Sequence, residues 1–494
     1  MKPWPKHPLI YEINTWVWLE ELGQQSSCPI SLASLPDAEW DRIASLGFDA
    51  VWLMGVWERS PVGIRISMAN EGLRADFQRV LPDFKETDNV GSPYCIRRYT
   101  VDEHLGGPEA LAIARAKMAD RGMRLILDFV PNHVAPDHPW ITQHPEYFIR
   151  GDAEDLSREP TAFIESGGNI FACGKDPYFP AWADVIQVNG FDKGLRSAVV
   201  ETLIDIAGQC DGVRCDMAML LIHSVFEKTW GPRAGPRPEV DYWRQAIPAV
   251  KEKATDFLFI AEAYWDLEWE LQQQGFDYCY DKRLYDRLEH DSAESVHLHL
   301  RADRVYQDKL VRFIENHDEP WAANIFNSEK HRAVAVTALT LPGARLIHEG
   351  QMEGRRVRLP VFLGRRPEES TDTDLLGFYQ QLLGALKPGD FMRGLWQLCE
   401  RVGWPDNASH INLVAWSWTT ESARCLIVAN LSETRSQGRI KIPWAGLKDH
   451  LWRLEDVFML TFFERDGTEL ENEGLYIDLP AWGFHLLIAS QGNK

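Results

Sequence analysis

The sequence predicts an α/β fold: a (β/α)8 TIM barrel with an insertion subdomain after strand 3 and a C-terminal antiparallel β-sandwich domain. Three observations predict it. Eight short apolar segments alternate with helix-like stretches, the pattern of βα units closing a parallel sheet. One interval, 133–190, interrupts that alternation with Pro, Gly, Asp and aromatic residues, as a functional insertion does. Past the Lys387-Pro388-Gly389-Asp390 turn, helical patterns give way to short β runs.

The eight segments, in order, are Leu9–Asn14, Ala50–Leu53, Leu125–Val130, Gly212–Asp216, Leu258–Ala261, a weak one at Phe276–Tyr278, Val311–Ile314 and Ala344–Ile347. Between the second and third, Gly106-Gly107-Pro108 opens a helix whose apolar face is Leu111, Ala114 and Met118, and Gly122 stops it. The insertion is expected over the barrel mouth. INLVAWSW, CLIVANLS, GRIKIPW, LYIDLP and FHLLIAS then read as strands of the β domain. The division that follows is barrel 1–132, insertion subdomain 133–190, barrel 191–388 and β domain 389–494.

Composition narrows function. At 25% charged and 45% hydrophobic residues the chain is ordinary globular protein, not disordered or fibrous. A net charge of −21 without a basic run disfavours nucleic acid and anionic lipid as partners. No apolar run reaches membrane-spanning length and no signal-peptide pattern opens the chain, so a soluble cytoplasmic protein is expected. The eight cysteines form no CxxC pair and read as buried small hydrophobes. Twenty Trp, 22 Phe and 13 Tyr suit stacking on sugar faces, although core packing could use most of them.

Barrel enzymes carry their chemistry at the C-terminal ends of strands. Here those ends read Asp128-Phe129-Val130-Pro131-Asn132-His133, Arg214-Cys215-Asp216, Ala261-Glu262 and Glu315-Asn316-His317-Asp318-Glu319. Carboxylates converging from separate strands are costly unless paired or working, so together they mark a site.

With these motifs in order, DFVPNH at 128–133, GVRCD at 212–216, IAEAY at 260–264 and ENHDE at 315–319, the chain resembles the alpha-amylase family of retaining (β/α)8 glycosidases and transglycosidases. GSPYCIRRY at 91–99, LGG at 105–107 and LPGARLIHEGQ at 341–351 resemble family text too. The resemblance implies Asp216 as nucleophile with Arg214 as its counter-ion, and Glu262 as general acid and then base. It implies Asp318 as the third acid, holding ring hydroxyls, with His133 and His317 hydrogen-bonding the same sugar. Tyr94 would stack under the sugar, and Asp128 would support Arg214. Retention would require Asp216 and Glu262 at about 5–5.5 Å rather than the wider inverting spacing.

Departures from the family pattern leave the substrate open. Met219 and Leu220 stand where many endo-acting amylases have Lys-His, and Gly91 stands where many alpha-glucosidases have Asp. A hydrolase of alpha-glucosidic bonds is the first expectation, and a transglycosylase using a sugar or phosphate acceptor the second. A glycan-binding scaffold on a dead barrel predicts loss of at least one of the three acids, and all are present. The substrate is expected to be an alpha-glucan or small alpha-glucoside. No cofactor is expected to be required, although Asn132 and Asp184 could ligate a structural calcium. The basic segment RRVRLPVFLGRRP at 355–367 is expected as solvated salt-bridge partners, the alternative being a site for a phosphorylated sugar.

Overall fold

The computed structural model describes residues 3–387 and 391–492. Eight parallel strands close into a barrel: β1 Leu9–Asn14, β2 Ala50–Met54, β3 Arg124–Phe129, β4 Gly212–Cys215, β5 Leu258–Ala261, β6 Tyr278–Tyr280, β7 Leu310–Arg312 and β8 Ala344–His348. They pair in sequence around the ring, and β1 closes it on β8 with Glu12 opposite His348. Two expected strands lie elsewhere: β6 runs two residues later than Phe276–Tyr278, and β7 ends at Arg312 rather than Ile314. Both are only three residues long, too short a run to set its own bounds in the sequence.

Every strand residue is buried, as expected for strands lined by side chains inside and covered by helices outside. Ile10, Ala50, Trp52, Ile126, Leu258, Ile260, Tyr280 and Phe313 belong to the cluster filling the lumen. The helix after the Gly106-Gly107 turn spans Gly107–Asp120, with Pro108 in its first turn and Ala110, Leu111, Ala114 and Met118 buried. Asp192 caps the Lys193–Gln209 helix by accepting from the Leu195 N–H at 2.8 Å.

After β3 the chain builds a four-stranded antiparallel sheet from His133–Val134, Trp182–Gln187, Asn169–Gly174 and Phe163–Ser166, in that spatial order. Its first strand starts at His133, four residues past the end of β3, so the insertion is tied directly to a strand end of the barrel.

The C-terminal region pairs a six-stranded antiparallel sheet with a three-stranded one. Leu413, Ala415, Leu426 and Val428 of the first pack against Ile440, Ile477 and Leu479 of the second. Strands Leu413–Thr419, Arg424–Asn430, Ser436–Lys441, Leu475–Leu479 and Phe484–Gln491 answer the five runs read from sequence. Four more, Leu395–Leu398, Glu400–Val402, Leu451–Asp456 and Thr461–Asp466, lie in more polar text. Trp418 fastens this region to the barrel by donating its indole N–H to the Thr340 carbonyl at 2.8 Å. The boundary expected at 388/389 lies outside the described residues.

Among the described residues all eight cysteines are free, seven of them buried. No described helix is long and apolar enough to cross a membrane. The basic segment is more structural than expected. Arg366 is buried against Glu349 at 2.7 Å, Arg365 pairs with Asp88 and Asp83, and Arg355 pairs with Glu21. The acids that bind these arginines lie up to 334 residues away in sequence, the separation of Arg355 and Glu21, so periodicity could not announce them.

Candidate active site

Arg214 is the hub of the site. It stands on β4 opposite Asp128 of β3, and it is 1% exposed. Its Nη1 reaches Asp216 Oδ1 at 2.7 Å and its Nη2 reaches Glu262 Oε2 at 2.8 Å, with Asp128 at 3.8 Å and Asp318 at 3.9 Å. The guanidinium also sits 5.2–5.7 Å from the ring centroids of Tyr94, Trp52 and Tyr280. Four carboxylates from the ends of four strands therefore converge on one buried cation. The two terminal nitrogens of a rigid planar fork hold two carboxylates in fixed relative positions, a geometry that a single ammonium on a flexible stem does not impose.

Local backbone fixes the acids. Asp216 follows the last residue of β4, and its N–H donates to the Phe129 carbonyl at 2.8 Å. Met217 then turns into the left-handed region at φ 42°, a conformation unusual for a non-glycine residue. That turn aims the Met217 N–H at Glu262 Oε2, 2.5 Å away. Tyr264 donates its hydroxyl to the other Glu262 oxygen at 3.0 Å. Glu262 itself is 3% exposed. Burial raises its pKa, Arg214 opposes the rise, and the neighbouring Asp216 and Asp318 charges add to it, leaving it at about 7. Burial likewise lifts Asp128 to about 6 against the pull of Arg214 and His317.

The third acid is placed differently. The Asp318 side chain is 40% exposed, so it faces the open mouth. Its Oδ2 lies 2.9 Å from His317 Nε2, and Tyr94 Oη lies 2.5 Å from the same nitrogen. The other ring nitrogen, Nδ1, bonds Glu12 Oε1 on β1. Desolvation works against both charges. For Asp318, the His317 cation and then Arg214 outweigh it and hold the carboxyl well below its usual range. For His317, Asp318 and Glu12 outweigh it and hold the imidazole protonated to about 10.

The structure thus gathers Asp216, Glu262, Asp318, Arg214, Asp128, His317 and Tyr94 into one connected constellation. His133 borders it: buried, packed on Trp182 at 5.3 Å between ring centroids, with its pKa lowered by burial and partly restored by Asp216. Glu12, Trp52, Tyr264, Tyr280 and the Met217 N–H belong to the site without having been singled out from sequence. The acid in Leu-Ile-Tyr-Glu-Ile-Asn was a readable signal, a lone charge in an apolar strand.

Of the two residues expected to hold calcium, Asn132 is already engaged. The Asn132 amide is engaged with Gln187 in both directions, accepting at 2.9 Å and donating at 3.2 Å. Among the described residues no three or more His, Cys, Asp or Glu side chains are grouped to hold a metal ion. Asp184 adds one carboxylate, and a hard cation needs six or more oxygens.

Comparison with known proteins speaks to family and fold. Residues 39–171 match the family model for the alpha amylase catalytic domain. The chain is 24% identical over 451 residues to alpha-amylase MalA of Haloarcula japonica, covering 86% of this chain and 56% of that one. It is 30% identical over 264 residues to an alpha-1,4-glucan:maltose-1-phosphate maltosyltransferase of Rhodospirillum rubrum, covering 51% of this chain and 31% of that one. It therefore spans about half the length of the Haloarcula protein and less than a third of the transferase's. Among solved structures, the noncanonic maltogenic alpha-amylase AmyB of Thermotoga neapolitana superposes with a TM-score of 0.68 at 18% identity, over 98% of each chain.

Proposed function

Because this chain belongs to the alpha-amylase family, we propose that it is a retaining glycosidase that cleaves alpha-glucosidic bonds through a covalent glycosyl-enzyme on Asp216. The observation that carries the proposal is the single Arg214 fork bound to both Asp216 and Glu262. Two carboxylates on adjacent nitrogens of one guanidinium stand close together. This favours direct attack by one of them over the wider gap that admits a water between.

The roles follow from environment. Asp216, paired with Arg214, attacks the anomeric carbon. Glu262, held protonated near neutrality, gives its proton to the departing glycosidic oxygen and later withdraws one from the incoming acceptor. Asp318, open to the mouth and kept anionic by His317, holds ring hydroxyls as the oxocarbenium character develops. Tyr94 offers its ring beside the same corner.

The test is product formation from maltooligosaccharides, trehalose, sucrose and isomaltose, with the released anomer read by NMR. Alpha-anomeric product abolished by Glu262→Gln supports the proposal; beta-anomeric product refutes retention.

Transfer rather than hydrolysis is the second reading, and two observations favour it. Tyr178 and Phe179 of the insertion are 58% and 67% exposed, and Tyr178 meets Trp265, three residues past Glu262, at 4.9 Å between centroids. The acid's side of the site is the leaving-group side, so these rings are placed to hold an acceptor sugar. Arg358 is exposed and its charge bears on Asp318, which suits a phosphate acceptor. Added maltose or phosphate should divert product, and Tyr178→Ala should reduce sugar transfer more than hydrolysis. If neither acceptor alters the product mixture, the transfer reading falls.

A further inference from the structure

Glu12 sits in the middle of β1, 305 residues before His317, and is fully buried. Its Oε1 bonds His317 Nδ1, and its Oε2 has no hydrogen-bond partner among the described residues. A carboxylate buried with half its bonding capacity unused is expensive, and an apolar or amide side chain in the same strand would cost less. Something at His317 must offset that cost.

The imidazole geometry shows what. Glu12 lies at Nδ1 and Asp318 at Nε2, 2.9 Å away, so each ring nitrogen faces a carboxylate. Ionised carboxylates accept and do not donate, and a neutral imidazole has only one N–H. Only the doubly protonated imidazolium satisfies both. The other groups around the ring leave this balance standing. Tyr94 Oη shares the Nε2 side at 2.5 Å, Trp52 presents its ring edge-on at 5.5 Å, and Asp128 adds a further negative influence. His348 is held neutral by burial and is bonded to Glu315.

We propose that Glu12 is a positioning residue: its carboxylate locks His317 as an imidazolium in a fixed ring orientation, so that Asp318 stays anionic and correctly aimed at the sugar. The activity half of this rests on the glycosidase reading; the charge half does not. Without Glu12 the imidazole can take the tautomer that turns a lone pair toward Asp318, and the third acid loses its donor.

The experiment compares wild type, Glu12→Gln and Glu12→Asp. The His317 titration is followed by NMR of protein labelled with 15N-histidine, assigned with His317→Gln, alongside pH profiles of kcat and KM. Wild type and Glu12→Asp should keep the imidazolium through pH 8. In Glu12→Gln its midpoint should fall by at least one pH unit, the scale of one charge-assisted hydrogen bond, and kcat relative to wild type should drop roughly two- to tenfold at pH 9, with a smaller loss at pH 6. An unchanged His317 midpoint in Glu12→Gln, or the same loss of kcat at both pH values, overturns the proposal. Should Glu12→Gln fail to fold, the wild-type titration decides: a His317 that turns neutral below pH 8 overturns it and one that stays cationic supports it. A wild type with no glycosidase activity refutes the functional reading, while the titration still judges Glu12.

Discussion

Arg214→Lys tests the hub of the site with the least change of charge. The lysine side chain is shorter and ends in one nitrogen, so it does not reproduce the 2.7 and 2.8 Å contacts that two different nitrogens of the fork make. If it keeps Asp216, Glu262 loses the ion-pair contact with Nη2, worth about 1.5–3 kcal/mol in favour of its ionised form. At 1.36 kcal/mol per pKa unit, Glu262 should rise by about one to two units from its value near 7. The sign is distinctive, since the variant should be slower overall and yet hold its acid form to higher pH. The assay is kcat/KM against pH for an alpha-glucoside with a good leaving group, with circular dichroism to confirm folding. The basic limb should move upward by about one to two units. A limb that stays in place or moves downward in a folded variant would refute the reasoning that Arg214 bridges the two carboxylates.

Other consequences are as direct. The wild-type basic limb should fall near pH 7, because Glu262 must be protonated to act and loses that proton through about 7; a limb above pH 9 would contradict the assignment. The raised His317 adds stability that is complete below about pH 6.5 and is lost as pH rises through about 10, so thermal melting from pH 6 to 10 should show a decline that His317→Gln flattens. Gly343, at φ 107° just before β8, has no room for a Cβ, which would run into the Leu310 carbonyl oxygen. Gly343→Ala should cost about 2–4 kcal/mol in denaturant unfolding, and a neutral effect would show that this turn is not as tight as described. Chelation with EDTA should leave the melting temperature unchanged, since Asn132 is occupied by Gln187; a drop of several degrees restored by calcium would show a site these side chains do not reveal.

Much of the fold was legible because the barrel repeats one pattern. Apolar segments at β1, β2, β4, β5 and β8 were readable to within a residue, since each is bounded by polar or glycine text. β6 was misplaced because Phe276-Asp277-Tyr278-Cys279-Tyr280 offers an apolar residue at nearly every position. The four unanticipated strands of the C-terminal region are partly exposed, so their polar residues hide the alternation. Of the site, strand-end acids announced themselves through the cost of burying charge. Glu12 offered only a lone charge in an apolar run and Tyr264 no signal of its own, because what makes them functional is a partner on another strand or loop. The convergence of Asp128, Asp216, Glu262 and Asp318 on one arginine is likewise a property of barrel closure, which no segment of sequence contains.

The central claim is the covalent intermediate on Asp216. It is tested most directly by incubating the enzyme with a fluorinated glucosyl fluoride that slows the second step, then measuring intact mass and mapping the modified peptide. One added glycosyl group on the peptide containing Asp216, absent from Asp216→Asn, is the result predicted. A label on another residue, or rapid turnover to beta-anomeric product without any adduct, would contradict the account.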